Sequence, residues 1–90
     1  MHRLFIRQRA EKILDDMADD DYYRVKEAIL KLRQSPRPRG CEKLIDDIYR
    51  IRIGDWRVIY MVTDKERLID IGKIDRRSEK TYKGIKRLFT

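Results

Sequence analysis

Ninety residues suit one domain spanning positions 1–90, and a chain this short buries only about 60–65% of its unfolded surface, so one compact core is expected. With 23 Lys plus Arg against 16 Asp plus Glu, the net charge of +7 favours nucleic acid or an acidic protein as partner over a neutral metabolite. The single cysteine, Cys41, excludes an internal disulfide and has no metal or redox spacing; with no membrane-length apolar run and no signal-peptide core, this points to a cytoplasmic protein without a membrane partner.

Although 43% of residues are charged, the 41% that are hydrophobic fall at regular periods, which disordered segments do not show. The apolar run between Arg3 and Arg7 predicts a strand. Ala10, Ile13, Leu14 and Met17 then recur at i, i+3, i+4 and i+7 and predict a first helix of about ten residues. Asp19, Asp20 and Asp21 are positioned to cap a second helix and to place negative charge on its positive end, and its apolar stripe runs through Tyr22, Val25, Ile29 and Leu32. Three consecutive acids cannot all face one ion at a helix start, so no metal site is expected there. The second helix ends before Pro36. The segment Ser35–Gly40, with two prolines and a glycine, predicts an irregular crossing that exposes Arg37 and Arg39.

After Leu44 and Ile45, residues 48–53 alternate apolar and basic, and residues 56–62 are rich in β-branched and aromatic types. Gly54-Asp55 between them is a tight-turn signal, Gly54 supplying a positive φ, and a two-residue loop pairs Ile53 with Trp56. That register sets Arg52 opposite Arg57, Ile51 opposite Val58, Arg50 opposite Ile59 and Tyr49 opposite Tyr60. One face then carries Tyr49, Ile51, Ile53, Trp56, Val58 and Tyr60. The other carries Arg50, Arg52 and Arg57, with Ile48, Ile59 and Met61. Two arginines directly opposite, with Cβ atoms roughly 5 Å apart, repel unless something anionic lies between them. A phosphate would serve; a plain solvated face is the alternative reading.

Residues 68–74 predict a further strand, with Ile69, Ile71 and Lys73 on one face and Leu68, Asp70 and Gly72 on the other. The tail adds Arg76, Arg77, Lys80, Lys83, Lys86 and Arg87, and Ser78 is placed to cap a short closing helix with apolar positions Ile85, Leu88 and Phe89. The expected fold is α+β: an antiparallel sheet of about four strands, an N-terminal helix hairpin packed on its aromatic face, and a short C-terminal helix. The second face is expected to be free and to hold the arginines.

The order strand, helix hairpin, Pro-containing link, Tyr49-Arg-Ile-Arg, Gly-Asp-Trp-Arg-Val-Ile-Tyr60, Ile71-Gly-Lys and an Arg-Arg-Ser-Glu…Tyr ending resembles the RelE/ParE superfamily of type II toxins over essentially the whole chain. The tail resembles the RelE branch, whose members cleave messenger RNA on the ribosome. The hairpin is shared with the branch that inhibits DNA gyrase, and a non-catalytic nucleic-acid-binding module is a third reading. The RelE resemblance implies an endoribonuclease reaction in which the RNA 2′-hydroxyl attacks the adjacent phosphate, with no cofactor and no metal. By that resemblance Arg57 and Arg76 or Arg77 would stabilise the phosphorane, and Tyr82 would act as base or orienter. Arg50, Arg52, Lys73, Lys80 and Lys83 would hold substrate or ribosomal RNA. Between Lys73 and Tyr82 the chain is longer than the usual tail by a residue or two. Spacing to Tyr82 therefore favours Arg76 as the catalytic arginine and the Ser-Glu neighbours favour Arg77; of the two, Arg76 is the expected one, because its six-residue spacing to Tyr82 resembles the family's own. A tyrosine with pKa about 10 is a poor base, so free RNA should be cut badly without the ribosome to align it. His2, the only histidine, sits at the N-terminus and is not expected to take part. The implied partners are the ribosome with its messenger RNA and a cognate acidic antitoxin, in an assembly such as a toxin–antitoxin heterotetramer.

Overall fold

The structure is a computed structural model and describes residues 1–76 and 84–90. Its elements are β1 (Arg3–Ile6), α1 (Gln8–Asp15), α2 (Asp19–Lys31), β2 (Glu42–Ile45), β3 (Ile48–Ile53), β4 (Trp56–Thr63), β5 (Leu68–Asp75) and a closing 3₁₀ helix (Ile85–Phe89). The strands form one sheet in the order β1-β5-β4-β3-β2. The α+β class holds, with two differences from the expected sheet. Glu42–Ile45 contributes an additional edge strand, and β1 pairs with β5 in parallel. The parallel pairing is open to β1 because the whole helix pair and three strands lie between it and β5, so no tight turn dictates an antiparallel return.

The β3–β4 register is the one the two-residue turn requires, from Ile53 opposite Trp56 to Tyr49 opposite Tyr60, and Gly54 adopts φ +60°. The aromatic face packs under the helices. Tyr49, Ile51, Val58 and Tyr60 join Ala10 and Leu14 of α1 and Val25, Ile29 and Leu32 in one buried cluster. Ile13, at the margin of the α1 stripe, stays 36% exposed. The acids at the start of α2 serve the helix differently from the expected capping. Ala18 occupies the N-cap without a side-chain bond, and Asp19, Asp20 and Asp21 lie in the first turn, where their charge complements the helix dipole.

Gly72 changes the reading of β5. Tyr60 pairs with Ile71 but Ile59 pairs with Lys73, so Gly72 is the extra residue of a bulge. Before the bulge Ile69 and Ile71 face the core; after it Ile74 does. Lys73, expected beside Ile69 and Ile71, is turned to the opposite face. Gly72 also lets the chain end approach: a Cβ there would lie 2.6 Å from the Phe89 ring.

The second face is consequently not free along its whole length. Ile85, Leu88 and Phe89 of the closing helix cover Ile48 and Ile59. Arg9 ties the helix down, its Nη2 donating to the Leu88 carbonyl at 2.6 Å and its Nε to the Gly72 carbonyl at 2.8 Å. Beside it Arg7 makes a two-pronged pair with buried Asp70, at 3.0 and 2.9 Å, which explains the imperfect alternation at that residue.

The link also differs from expectation. Arg37 is held rather than free: Nε donates to the Tyr49 hydroxyl at 2.8 Å, Nη2 donates to Asp64 at 2.9 Å, and the guanidinium lies 5.2 Å from the Tyr49 ring centre. His2 is likewise anchored, its Nε2 lying 3.1 Å from Asp64 and its backbone N–H donating to the Arg33 carbonyl. Tyr60 donates its hydroxyl to the Pro36 carbonyl at 2.7 Å, and burial pushes that phenol well above its usual pKa, keeping it neutral.

Candidate functional site

With the bulge counted, the second sheet face resolves into transverse rows. Arg52, Arg57 and Asp75 form the row nearest the Gly54 turn, and Glu42, Arg50, Ile59 and Lys73 form the next. Neighbouring strands are about 4.8 Å apart, so the four cations Arg50, Arg52, Arg57 and Lys73 lie within one small area at this end of the sheet. The structure thus brings together every described residue of the expected cluster except Arg76.

Arg57 has an anion beside it, a carboxylate of the chain itself, on the side away from Arg52. Arg57 is only 5% exposed, and its Nε and Nη2 donate to the two oxygens of Asp75 at 2.9 and 2.8 Å. This planar fork-to-fork pairing is the geometry with which a guanidinium also grips a phosphate. The Lys73 ammonium lies 3.6 Å from the same carboxylate, and Arg50 pairs with Glu42. Arg52 is exposed.

Arg76 lies elsewhere. Its guanidinium stacks 4.7 Å from the Trp56 ring centre and sits 4.0 Å from Asp21. Trp56 belongs to the helix-side face, so Arg76 approaches the end of the sheet from the side opposite Arg57. Asp21 accepts from Arg24 at 2.9 Å and from the Trp56 indole, and these bonds hold its carboxyl below the usual range. Asp75, Trp56, Arg76, Asp21 and Met17 line a cleft of about 360 Å³ at this corner. Arg77, Lys80, Tyr82 and Lys83, together with the expected cap Ser78, lie outside the described residues.

Asp75 is the residue that sequence reasoning missed. A glycine inside a strand pattern is a bulge signal, and adding one residue at Gly72 brings Asp75 into register with Arg57. Among the described residues no cluster of His, Cys, Asp and Glu is arranged to hold a metal ion. His2 and its partner Asp64 are at the far end of β4 from Arg57.

Residues 4–81 match the family described as ParE toxin of type II toxin–antitoxin systems, parDE. The chain belongs to this toxin family. It is 39% identical over 84 residues to a protein given the name RelE1 toxin in Methanocaldococcus jannaschii, a match covering 88% of this chain and 92% of the relative. Its fold matches the toxin in the archaeal RelE–RelB complex of Pyrococcus horikoshii OT3 with a TM-score of 0.76 and 32% identity, over 87% of this chain and 97% of that one. The isolated Escherichia coli RelE toxin matches over 99% of this chain and 100% of its own, also with a TM-score of 0.76; at 18% identity that likeness is one of fold. The toxin is therefore a RelE/ParE-superfamily member of a toxin–antitoxin system, with RelE-like relatives and a RelE-like fold. Among its described residues no helix is long and apolar enough to cross a membrane.

Proposed function

We propose that the toxin is a ribosome-dependent endoribonuclease that cleaves messenger RNA in the cytoplasm. In this reading the RNA 2′-oxygen attacks the adjacent phosphorus, and the 5′-oxygen leaves. The observation that carries it is the gathering of Arg50, Arg52, Arg57 and Lys73 in two adjacent rows at the end of the sheet where β5 gives way to the tail. Such a patch suits a phosphate backbone, and a guanidinium fork placed by packing suits a phosphorane. The RelE names of the M. jannaschii and P. horikoshii relatives favour this branch over gyrase inhibition. Tyr82 and one tail arginine complete the proposed site, and Lys80 and Lys83 extend its contact with ribosomal RNA. Nothing in this scheme requires a metal or cofactor.

The silencing partner is proposed to be an acidic antitoxin, as the RelE–RelB pairing of the P. horikoshii protein suggests. A net charge of +7 favours an association that is fast at low salt and weakens as salt rises.

The test is purified toxin added to ribosomes carrying a defined messenger RNA, with free RNA and with DNA gyrase as parallel substrates. Cleavage in the ribosomal A site, with far slower cutting of free RNA, is expected. Intact messenger RNA together with gyrase-dependent DNA breaks would replace this reading with the gyrase one.

A further inference from the structure

The proposed reaction needs a group to take the proton of the 2′-hydroxyl, and the described part of the site contains no histidine. Of the two carboxylates among the cations, Glu42 lies on the edge strand β2 with Arg50, whereas Asp75 meets both the Arg57 fork and Lys73. We propose that Asp75 is the general base of the toxin; the inference rests on the ribonuclease reading above.

Three observations converge on Asp75. Its register opposite Arg57 places a carboxylate beside the guanidinium proposed to hold the phosphate, so base and phosphate-binding group stand side by side, as attack by a neighbouring 2′-oxygen demands. The pairing through Nε and Nη2 orients the carboxylate and leaves its remaining lone pairs directed away from the fork. The residue also lines the open corner cleft, and its side chain is 24% exposed, so a ribose has a path to it. The charged groups facing it are Arg57 from β4 and Lys73 from β5, with Asp16 at the end of α1, Asp21 of α2 and Arg76 along the cleft. The cations on both sides remain to receive the negative charge that builds on phosphorus.

In the step, a carboxylate oxygen of Asp75 takes the 2′-hydroxyl proton as the 2′-oxygen bonds to phosphorus. The phosphorus–5′-oxygen bond breaks, the 5′-oxygen takes a proton from water, and a 2′,3′-cyclic phosphate is left. The hydroxide so formed removes the proton from Asp75, which closes the balance. A carboxylate is a weak base, and this agrees with a reaction that relies on the ribosome to supply alignment.

The experiment is single-turnover cleavage on programmed ribosomes by wild type, Asp75→Asn, Asp75→Glu and Asp75→Ala, with circular dichroism as the control of folding. Asp75→Asn should cut 10² to 10⁴-fold more slowly, the ordinary loss for a general base, with an unchanged half-saturating toxin concentration and without the wild-type fall in rate towards acid pH. Formate added to Asp75→Ala should restore part of the rate. Should the neutral variants fail to fold, Asp75→Glu decides, because it keeps a charge for Arg57: a slower rate at unchanged half-saturation supports the base, and a wild-type rate overturns it. Asp75→Asn cutting as fast as wild type or faster also overturns it, leaving the carboxylate as a competitor for the Arg57 fork. If wild type does not cut, the ribonuclease reading has failed and the base with it, an outcome distinct from failure of Asp75 alone.

Discussion

Arg57 and Asp75 face each other across the β4–β5 ladder in a two-pronged ion pair of 2.9 and 2.8 Å, with the arginine 95% buried. Arg52, its neighbour on the other side, is exposed. Two arginines in one row therefore have opposite relations to stability. Arg57→Ala removes a buried chain and strips Asp75 of its main partner, which should cost about 1–3 kcal/mol after allowing for the partial exposure of the carboxylate. For a domain of this size that is a fall of roughly 5–20 °C in melting temperature. Arg52→Ala relieves a like-charge contact and should leave the melting temperature unchanged or higher. Thermal melts of the two variants side by side check the contrast, and equal losses would show that Arg52 is structural as well.

The closing helix depends on a missing side chain. Gly72→Ala puts a methyl group 2.6 Å from Phe89, closer than real contacts allow, so the Phe89 ring must move away. The sheet should survive, at a cost of about 1–3 kcal/mol, while amide exchange in 85–90 rises sharply. Hydrogen exchange read by mass spectrometry distinguishes this from general loosening, which would speed exchange in β3 and β4 equally.

Acid should weaken the link through Asp64. Arg37, and then His2, hold the Asp64 carboxyl below its usual pKa. A depressed folded value means that the contribution is complete above the unfolded value of about 3.9 and is lost as pH falls through the lower folded value. Asp64→Asn should thus lower the melting temperature slightly at pH 7, and the difference from wild type should vanish in strong acid. A difference that grows towards acid pH would contradict this sign. Because Asp64 is solvent-exposed, the effect should also shrink with added salt.

The tail arginines should separate in one assay. Arg76 is engaged with Trp56 and Asp21 on the helix side of the sheet, which supports assigning the phosphorane to Arg77 rather than to Arg76. Arg77→Ala should then cost about 2–4 kcal/mol of transition-state stabilisation, and Tyr82→Phe, losing a hydroxyl that orients the substrate, should slow cleavage by about 10² with ribosome affinity retained. Arg76→Ala should alter Trp56 fluorescence while slowing cleavage far less. Loss of cleavage in Arg76→Ala with normal cleavage by Arg77→Ala would restore the assignment favoured by spacing.

Local chemistry was enough to read the helix hairpin, the Gly54 turn and the whole β3–β4 register, because side-chain period and turn length act between residues near in sequence. The same pattern identified the core face and the co-facial arginines. It also carried the family resemblance, since the hairpin motif is contiguous. What lay beyond it required partners distant in the chain. The parallel pairing of β1 with β5 joins residues more than sixty positions apart, and nothing local to either strand sets that direction. The covering of Ile59 by the closing helix was hidden for the same reason, as was the anchoring of Arg37 and His2 on Asp64. Most consequential is the bulge at Gly72. One extra residue in a two-residue period reverses the faces of all that follows, so Lys73 joins the arginines and Asp75 meets Arg57 only because the ladder with β4 slips there. Sequence alone therefore determined that Arg52 and Arg57 stand opposite each other, and left open whether an anion or plain solvent meets them. The tertiary pairing of β4 with β5 decided that Arg57 meets a carboxylate of the protein's own chain, on the side away from Arg52.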